Sequence, residues 1–234
     1  MIKKNHVALL ALSLLLLLST RSYSAGINQI VRTQVWNMEQ SVDTLLQEGL
    51  AGSFFGKQGD WLILAGGANF PNGKPWEGGA KTFSDEIFVF SESNNQFQSL
   101  NVSKKLPFGV AEGAYVSTAK GLLCLGGQTS DGLSNKAMLL NYNGTDVAVE
   151  MYPDLPVAVK NATASIIDNR VYLLGGQNAD GQSGNQFLML NLSSLNKGWQ
   201  SLPNFPVAVS AATMSAQQDG EEISLFVFGG RAIG

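Results

Sequence analysis

The side chains that could do chemistry sit in loops. One loop runs from Ala68 to Lys81 and carries Phe70, Pro71, Pro75 and Trp76. Its aromatics and prolines argue against disorder, and long ordered loops usually carry function. Trp76 offers a flat apolar face, Glu77 a carboxylate and Lys81 a cation; Trp76 could equally pack the loop down. Further along, where the corresponding loops are short, polar and without aromatics, stand Glu112, Gln128, Lys160, Asn161 and Gln177. Each alone reads as a solvated loop residue. Together they make a ring of acids, amides and bases suited to a hydroxylated ligand. The one histidine, His6, lies near the N-terminus in a segment expected to be removed. Proton transfer would then fall to carboxylates, Lys, Tyr or an Arg-oriented water.

These loops need elements to hold them, and the elements repeat. Asp60-Trp-Leu-Ile-Leu-Ala-Gly-Gly67 is a short apolar strand running into two glycines. It returns as Gly121–Gly127, Arg170–Gly176 and Leu225–Gly230, with Gly pairs starting at 66, 126, 175 and 229. Leu106-Pro107, Leu155-Pro156 and Phe205-Pro206 keep step. After each proline comes a small-residue run, expected to be the innermost strand. The strand ending in Gly-Gly follows it, and a strand such as Asp85–Phe90 comes next. Four strands per unit of roughly 50 residues resemble the kelch repeat, so an all-β, kelch-type β-propeller of four-stranded antiparallel blades is expected. Strand alternation brings the loops after the Gly pairs and the crossovers between blades to one mouth of the central channel. The Ala68–Lys81 loop, about ten residues longer than its counterparts, overhangs that mouth.

Residues 1–24 read as a secretory signal. Lys3 and Lys4 precede the apolar run Val7–Leu18, and small residues flank a cleavage site near Ser24. That run is too short to span a membrane, so no membrane anchor is expected in the mature chain, and the periplasm is the expected location. Loss of Lys3, Lys4 and Arg21 leaves 15 − 3 = 12 basic residues against 18 acidic, a net charge of −6. An acidic, exported chain without a basic stripe is a poor nucleic-acid binder. Cys124, the single cysteine, reads as a buried small hydrophobe. Without histidine or a second cysteine, no Cys/His zinc site and no copper oxidase centre is expected. Residues 25–48 read as a leader or an outer strand at Val31–Trp36. Blades are expected at about 49–105, 106–154 and 155–203, with an incomplete fourth at 204–234. About three and a half blades of a probable six suggest a truncated propeller, or one completed by self-association.

Gly49-Leu-Ala-Gly-Ser-Phe-Phe-Gly, Leu62-Ile-Leu-Ala-Gly-Gly-Ala-Asn-Phe-Pro71 and Pro75-Trp-Glu-Gly-Gly-Ala-Lys81 with Asp85-Glu-Ile-Phe88 resemble the bacterial N-acetylneuraminate epimerase (sialic acid mutarotase) family. They are closest to its cyclically permuted branch. The resemblance is strong over 49–90 and generic kelch from 106 to 230. It implies a six-bladed propeller that interconverts anomers of a small sugar acid in the periplasm, without cofactor or metal. That chemistry needs proton-transfer carboxylates, for which Glu77 and Glu112 are the candidates, and a cation for the sugar carboxylate, for which Lys81 and Arg231 are the candidates. Asn69, Trp76 and Gln128 would position the ring, with Lys160 beside them. Only Asn69, Glu77 and Lys81 sit in the family-like loop; the others follow from blade geometry. The usual kelch arginine at the start of the inner strand is missing, with Val159 and Val209 near its place. A non-enzymatic propeller that binds a glycan or protein, and an inactive remnant, stand as alternatives.

Overall fold

Five-residue apolar runs bounded by polar turns are too short for helices and long enough for strands. The computed structural model describes residues 44–93, 96–218 and 220–233, and the expected signal and the Val31–Trp36 strand lie outside them. A one-turn helix, α1 (Thr44–Glu48), lays Leu46 against Phe88 and Phe90. Among the described residues no helix is long and apolar enough to cross a membrane.

The first blade is β1 (Phe54–Gln58), β2 (Trp61–Ala65), β5 (Ile87–Ser93) and β6 (Gln96–Leu100), hydrogen-bonded in that order and antiparallel throughout. The small hairpin of β3 (Ala68–Asn69) and β4 (Thr82–Phe83) occupies its long loop. The second blade is β7 (Ala114–Thr118), β8 (Gly121–Leu125), β11 (Ala137–Tyr142) and β12 (Val147–Tyr152). Its loop carries β9 (Gln128–Thr129) and β10 (Gly132–Leu133). The third is β13 (Thr163–Ile167), β14 (Arg170–Leu174), β15 (Phe187–Asn191) and β16 (Trp199–Leu202). A two-stranded sheet follows, β17 (Ser210–Gln218) with β18 (Ile223–Arg231). This is a kelch-type β-propeller of four-stranded antiparallel blades, as the repeat implied.

Blades pack face to face, and strand alternation decides which side chain serves which interface. In β8, Leu122 and Cys124 join Phe54, Ile63 and Val89 of the first blade. Leu123 and Leu125 join Val171, Leu173 and Leu190 of the third. A strand buried on both faces must be apolar at every position, which is why Cys124 stands there; burial pushes its thiol pKa well up.

The Gly pairs and the Leu-Pro markers turn out to be two halves of one clasp between neighbouring blades. The second glycine, Gly67, Gly127 or Gly176, donates its N–H to the carbonyl of Val110, Val159 or Val209, at 2.8 Å each time. Those valines donate back to Ser84, Ser134 and Gly184, and Leu106, Leu155 and Phe205 donate to Asp85, Asn135 and Asn185. The first glycine sits under the valine carbonyl. A Cβ on Gly175 would stand 2.1 Å from the Val209 oxygen, and its φ of +64° is itself unfavourable for other residues. The residues just after each proline therefore serve the clasp. The inner strands begin later than the small-residue runs suggested, at Ala114 and Thr163.

Candidate functional site

Just before the inner strand, or at the start of β17, the chain carries a residue in the left-handed region: Gly52, Glu112, Asn161 and Ala211, at φ 67°, 62°, 53° and 52°. Their backbones form a relay around the channel. Glu112 N–H donates to Gly52 O at 2.8 Å, Asn161 N–H to Glu112 O at 2.7 Å, and Ala211 N–H to Asn161 O at 2.8 Å. Glycine would occupy this conformation freely, whereas other residues are strained by roughly 1–2 kcal/mol. Such strain clusters where a side chain must be aimed. Here it aims Glu112 and Asn161 into a concave space of about 470 Å³, lined also by Gly52, Ser53, Tyr115 and Ala211.

The residue following each Gly pair pairs with the residue preceding the turn, as in Ala111 with Gln128 and Lys160 with Gln177. Four connecting segments thereby converge. The Glu112 carboxylate bonds Lys81 through Oε1 and Lys160 through Oε2, the latter at 3.0 Å. Lys160 also donates to Gln128 Oε1 at 2.7 Å. The four side chains come from four separate connecting segments and are up to 79 residues apart in sequence. All are partly buried; the Glu112 and Lys160 side chains are each 25% exposed. Desolvation pushes the Glu112 pKa up, but hydrogen bonds and charge from Lys81 and Lys160 outweigh it and hold the carboxyl below its ordinary value. The cluster thus carries two ammoniums and one carboxylate, a net charge of +1.

Of the residues singled out from sequence, Lys81, Glu112, Gln128 and Lys160 come together in this cluster. The others stand elsewhere. Trp76 and Glu77 lie in a 3₁₀ turn, Pro75–Glu77, at the tip of the long loop. Trp76 is 78% exposed with the Lys74 ammonium 5.6 Å from its ring centre, and Glu77 pairs with Lys74 at 3.6 Å. Asn69 donates to Glu48 of α1 at 3.4 Å. Arg231 ends β18 and is exposed, its carbonyl accepting from the Ser183 hydroxyl at 3.0 Å. Tyr115 and Ser53 line the concave space without having been singled out. Alternation along β7 turns Tyr115 toward the first blade, where its ring meets Phe54 edge-on at 6.5 Å. A second hollow of about 540 Å³ is lined by Lys81, Phe83, Phe108, Ser130 and Asp131. Among the described residues no three His, Cys, Asp or Glu side chains converge to hold a metal ion.

No family profile matches the chain. An N-acetylneuraminate epimerase of Vibrio cholerae is 40% identical over 114 residues, covering 44% of this chain and 28% of the relative. One of Brucella suis is 37% identical over 114 residues, with the same coverage. This chain is similar to the N-acetylneuraminate epimerases. The similarity spans a little over a quarter of the length of those epimerases, and less than half of this chain. A Vibrio cholerae kelch domain-containing protein is 37% identical over 60 residues, 26% of this chain and 15% of that one. Among solved structures, that of YjhT superposes with a TM-score of 0.63 at 16% identity, covering 80% of this chain and 64% of that one. At that identity it supports the propeller fold.

Proposed function

We infer that the protein is an exported sugar isomerase that interconverts the anomers of N-acetylneuraminate. The observation that carries this reading is the cluster's charge and place. Two ammoniums around one carboxylate leave +1 beside the concave space that Glu112 lines, and a monoanionic sugar acid brings that sum to zero. The epimerase relatives supply the substrate class.

The chemistry needs a base for the anomeric hydroxyl proton and a donor for the ring oxygen. As the anomeric O–H is deprotonated, the bond from the anomeric carbon to the ring oxygen breaks, and the ring oxygen takes a proton. The open form then rotates and closes on the other face, with both transfers reversed. Glu112 is the base in this scheme. In the free protein its two lysine partners make it a weak one. A substrate carboxylate that draws Lys81 or Lys160 onto itself removes a cation from Glu112 and raises its proton affinity at the moment of need. The remaining ammonium is the donor beside the ring oxygen, and Gln128, held by Lys160, contacts the ring.

The test follows freshly released α-N-acetylneuraminate by NMR, at mildly acidic pH where the spontaneous reaction is slow. Catalysed equilibration that is lost in Glu112→Gln supports the reading. A folded protein that leaves the spontaneous rate unchanged overturns it. One observation favours a second reading: a carboxylate clasped by two lysines also suits a propeller that binds an anionic glycan without turning it over. Line broadening of the sugar without acceleration would select that alternative. Export is tested separately, by whether the mature protein's N-terminus begins near Ala25.

A further inference from the structure

We propose that Asn161 determines specificity by accepting a hydrogen bond from the N–H of the ligand's acylamino substituent. The proposal rests on the N-acetylneuraminate reading and adds the group that reads the nitrogen.

The argument starts from a fixed amide orientation. The Gly181 carbonyl can only accept, so the Gln177 atom 3.3 Å from it is the Nε2 donor. Gln177 therefore presents Oε1 to Asn161, which donates Nδ2 to it at 3.1 Å. Asn161 Oδ1 is left as an acceptor with no protein hydrogen bond among the described residues. The same logic applies to Gln128: its Oε1 accepts from Lys160, leaving Nε2 as a donor. An acylamino group needs an acceptor for its N–H and a donor for its carbonyl. Asn161, next to Lys160 in the chain, and Gln128, bonded to the Lys160 ammonium, offer one of each.

The backbone gives independent support. Of the four left-handed positions around the channel, two are Gly52 and Ala211, which have no polar side chain. Glu112 and Asn161 occupy the other two, on adjacent blades, and both line the concave space. Asn tolerates the left-handed region better than most residues, yet glycine would fit with less strain. The backbone link from Asn161 N–H to Glu112 O needs no side chain at all, so the Asn161 amide, tied to Gln177, is free to face the concave space it lines.

The experiment compares N-acetylneuraminate with its analogue bearing a hydroxyl in place of the acetamido group, in the wild-type protein and in Asn161→Gly. The readouts are anomer exchange by NMR and sugar binding by saturation transfer. In wild type the acetamido sugar should be preferred by roughly tenfold, the value of one hydrogen bond in a shielded site. In Asn161→Gly the preference should fall to about onefold, with a melting temperature close to that of wild type, since relief of the left-handed strain offsets the lost bond to Gln177. Gln177→Ala, which frees the Asn161 amide to flip, should erode the preference in part. An unchanged preference in Asn161→Gly overturns the proposal while leaving the isomerase reading intact. A wild-type protein that neither binds nor converts either sugar overturns both.

Discussion

The tip of the long loop and the mouth of the channel each hold lysine and glutamate in contact, and the two places behave differently. Lys74 and Glu77 are three residues apart, more than half exposed, and 3.6 Å from each other. Lys81, Glu112 and Lys160 come from three loops, are about a quarter exposed, and share one carboxylate between two cations. Exposed local pairs are screened and nearly idle. Partial burial at the mouth strengthens the same charges and moves a pKa. Chemical capacity here comes from how many separate elements are made to meet, not from the residue types in any one of them.

The largest effects should come from the clasp that makes them meet. Gly175→Ala forces a Cβ onto the Val209 carbonyl in a left-handed conformation and should cost about 2–5 kcal/mol in urea unfolding. Gly78→Ala at the tip has the same unfavourable φ but open space around it, and should cost only about 1–2 kcal/mol. Equal losses at the two positions would break the distinction between clasp and tip.

On activity, Glu112→Gln should lower the catalysed anomer exchange by roughly 100-fold or more, the usual scale for a lost acid–base group. Glu77→Gln should stay within about twofold of wild type, since Glu77 pairs only with its neighbour in the tip. A reversed ranking would move the chemistry to the loop tip.

The difference should also appear in stability against pH. The folded Glu112 pKa is lowered from 4.5, so its ion pairs contribute fully above that value and are lost as pH falls through the lower folded value. The melting-temperature gap between wild type and Glu112→Gln should be constant at neutral pH and close in acid below 4.5. A gap that widens there would contradict the assigned shift. Smallest of all, Lys74→Ala should change stability by less than about 0.5 kcal/mol in the same unfolding assay.

Much of the fold was legible because its signals are local. Apolar pentads, Gly pairs and Leu-Pro markers recur at one period, and each specifies a strand or a turn without reference to distant residues. The start of the inner strands was not. Val110–Gly113 looks like strand, but Val110 is bonded through both its N–H and its carbonyl to the preceding blade, and Glu112 to Gly52 and Asn161 on either side, which no local pattern announces. The site divides the same way. Glu112, Gln128 and Lys160 could be placed at the mouth from strand direction. Their union with Lys81 depends on how two loops lean together, and side-chain reach is not written in spacing. The left-handed turn was hidden because only the first copy, Gly52, is a glycine; Glu112, Asn161 and Ala211 break the residue rule at an equivalent backbone position.

The clasp is built from main-chain groups alone, save for the demand that its first residue lack a side chain. Such a joint is indifferent to the sequence of the loops it fastens. Loop tips can lengthen, shorten or change character while the blades stay in register, as the extra residues beyond Gly67 show. A scaffold joined this way is modular. New recognition could be installed by exchanging the segments between Ala68 and Phe83, or between Gln128 and Leu133, with no redesign of what lies beneath.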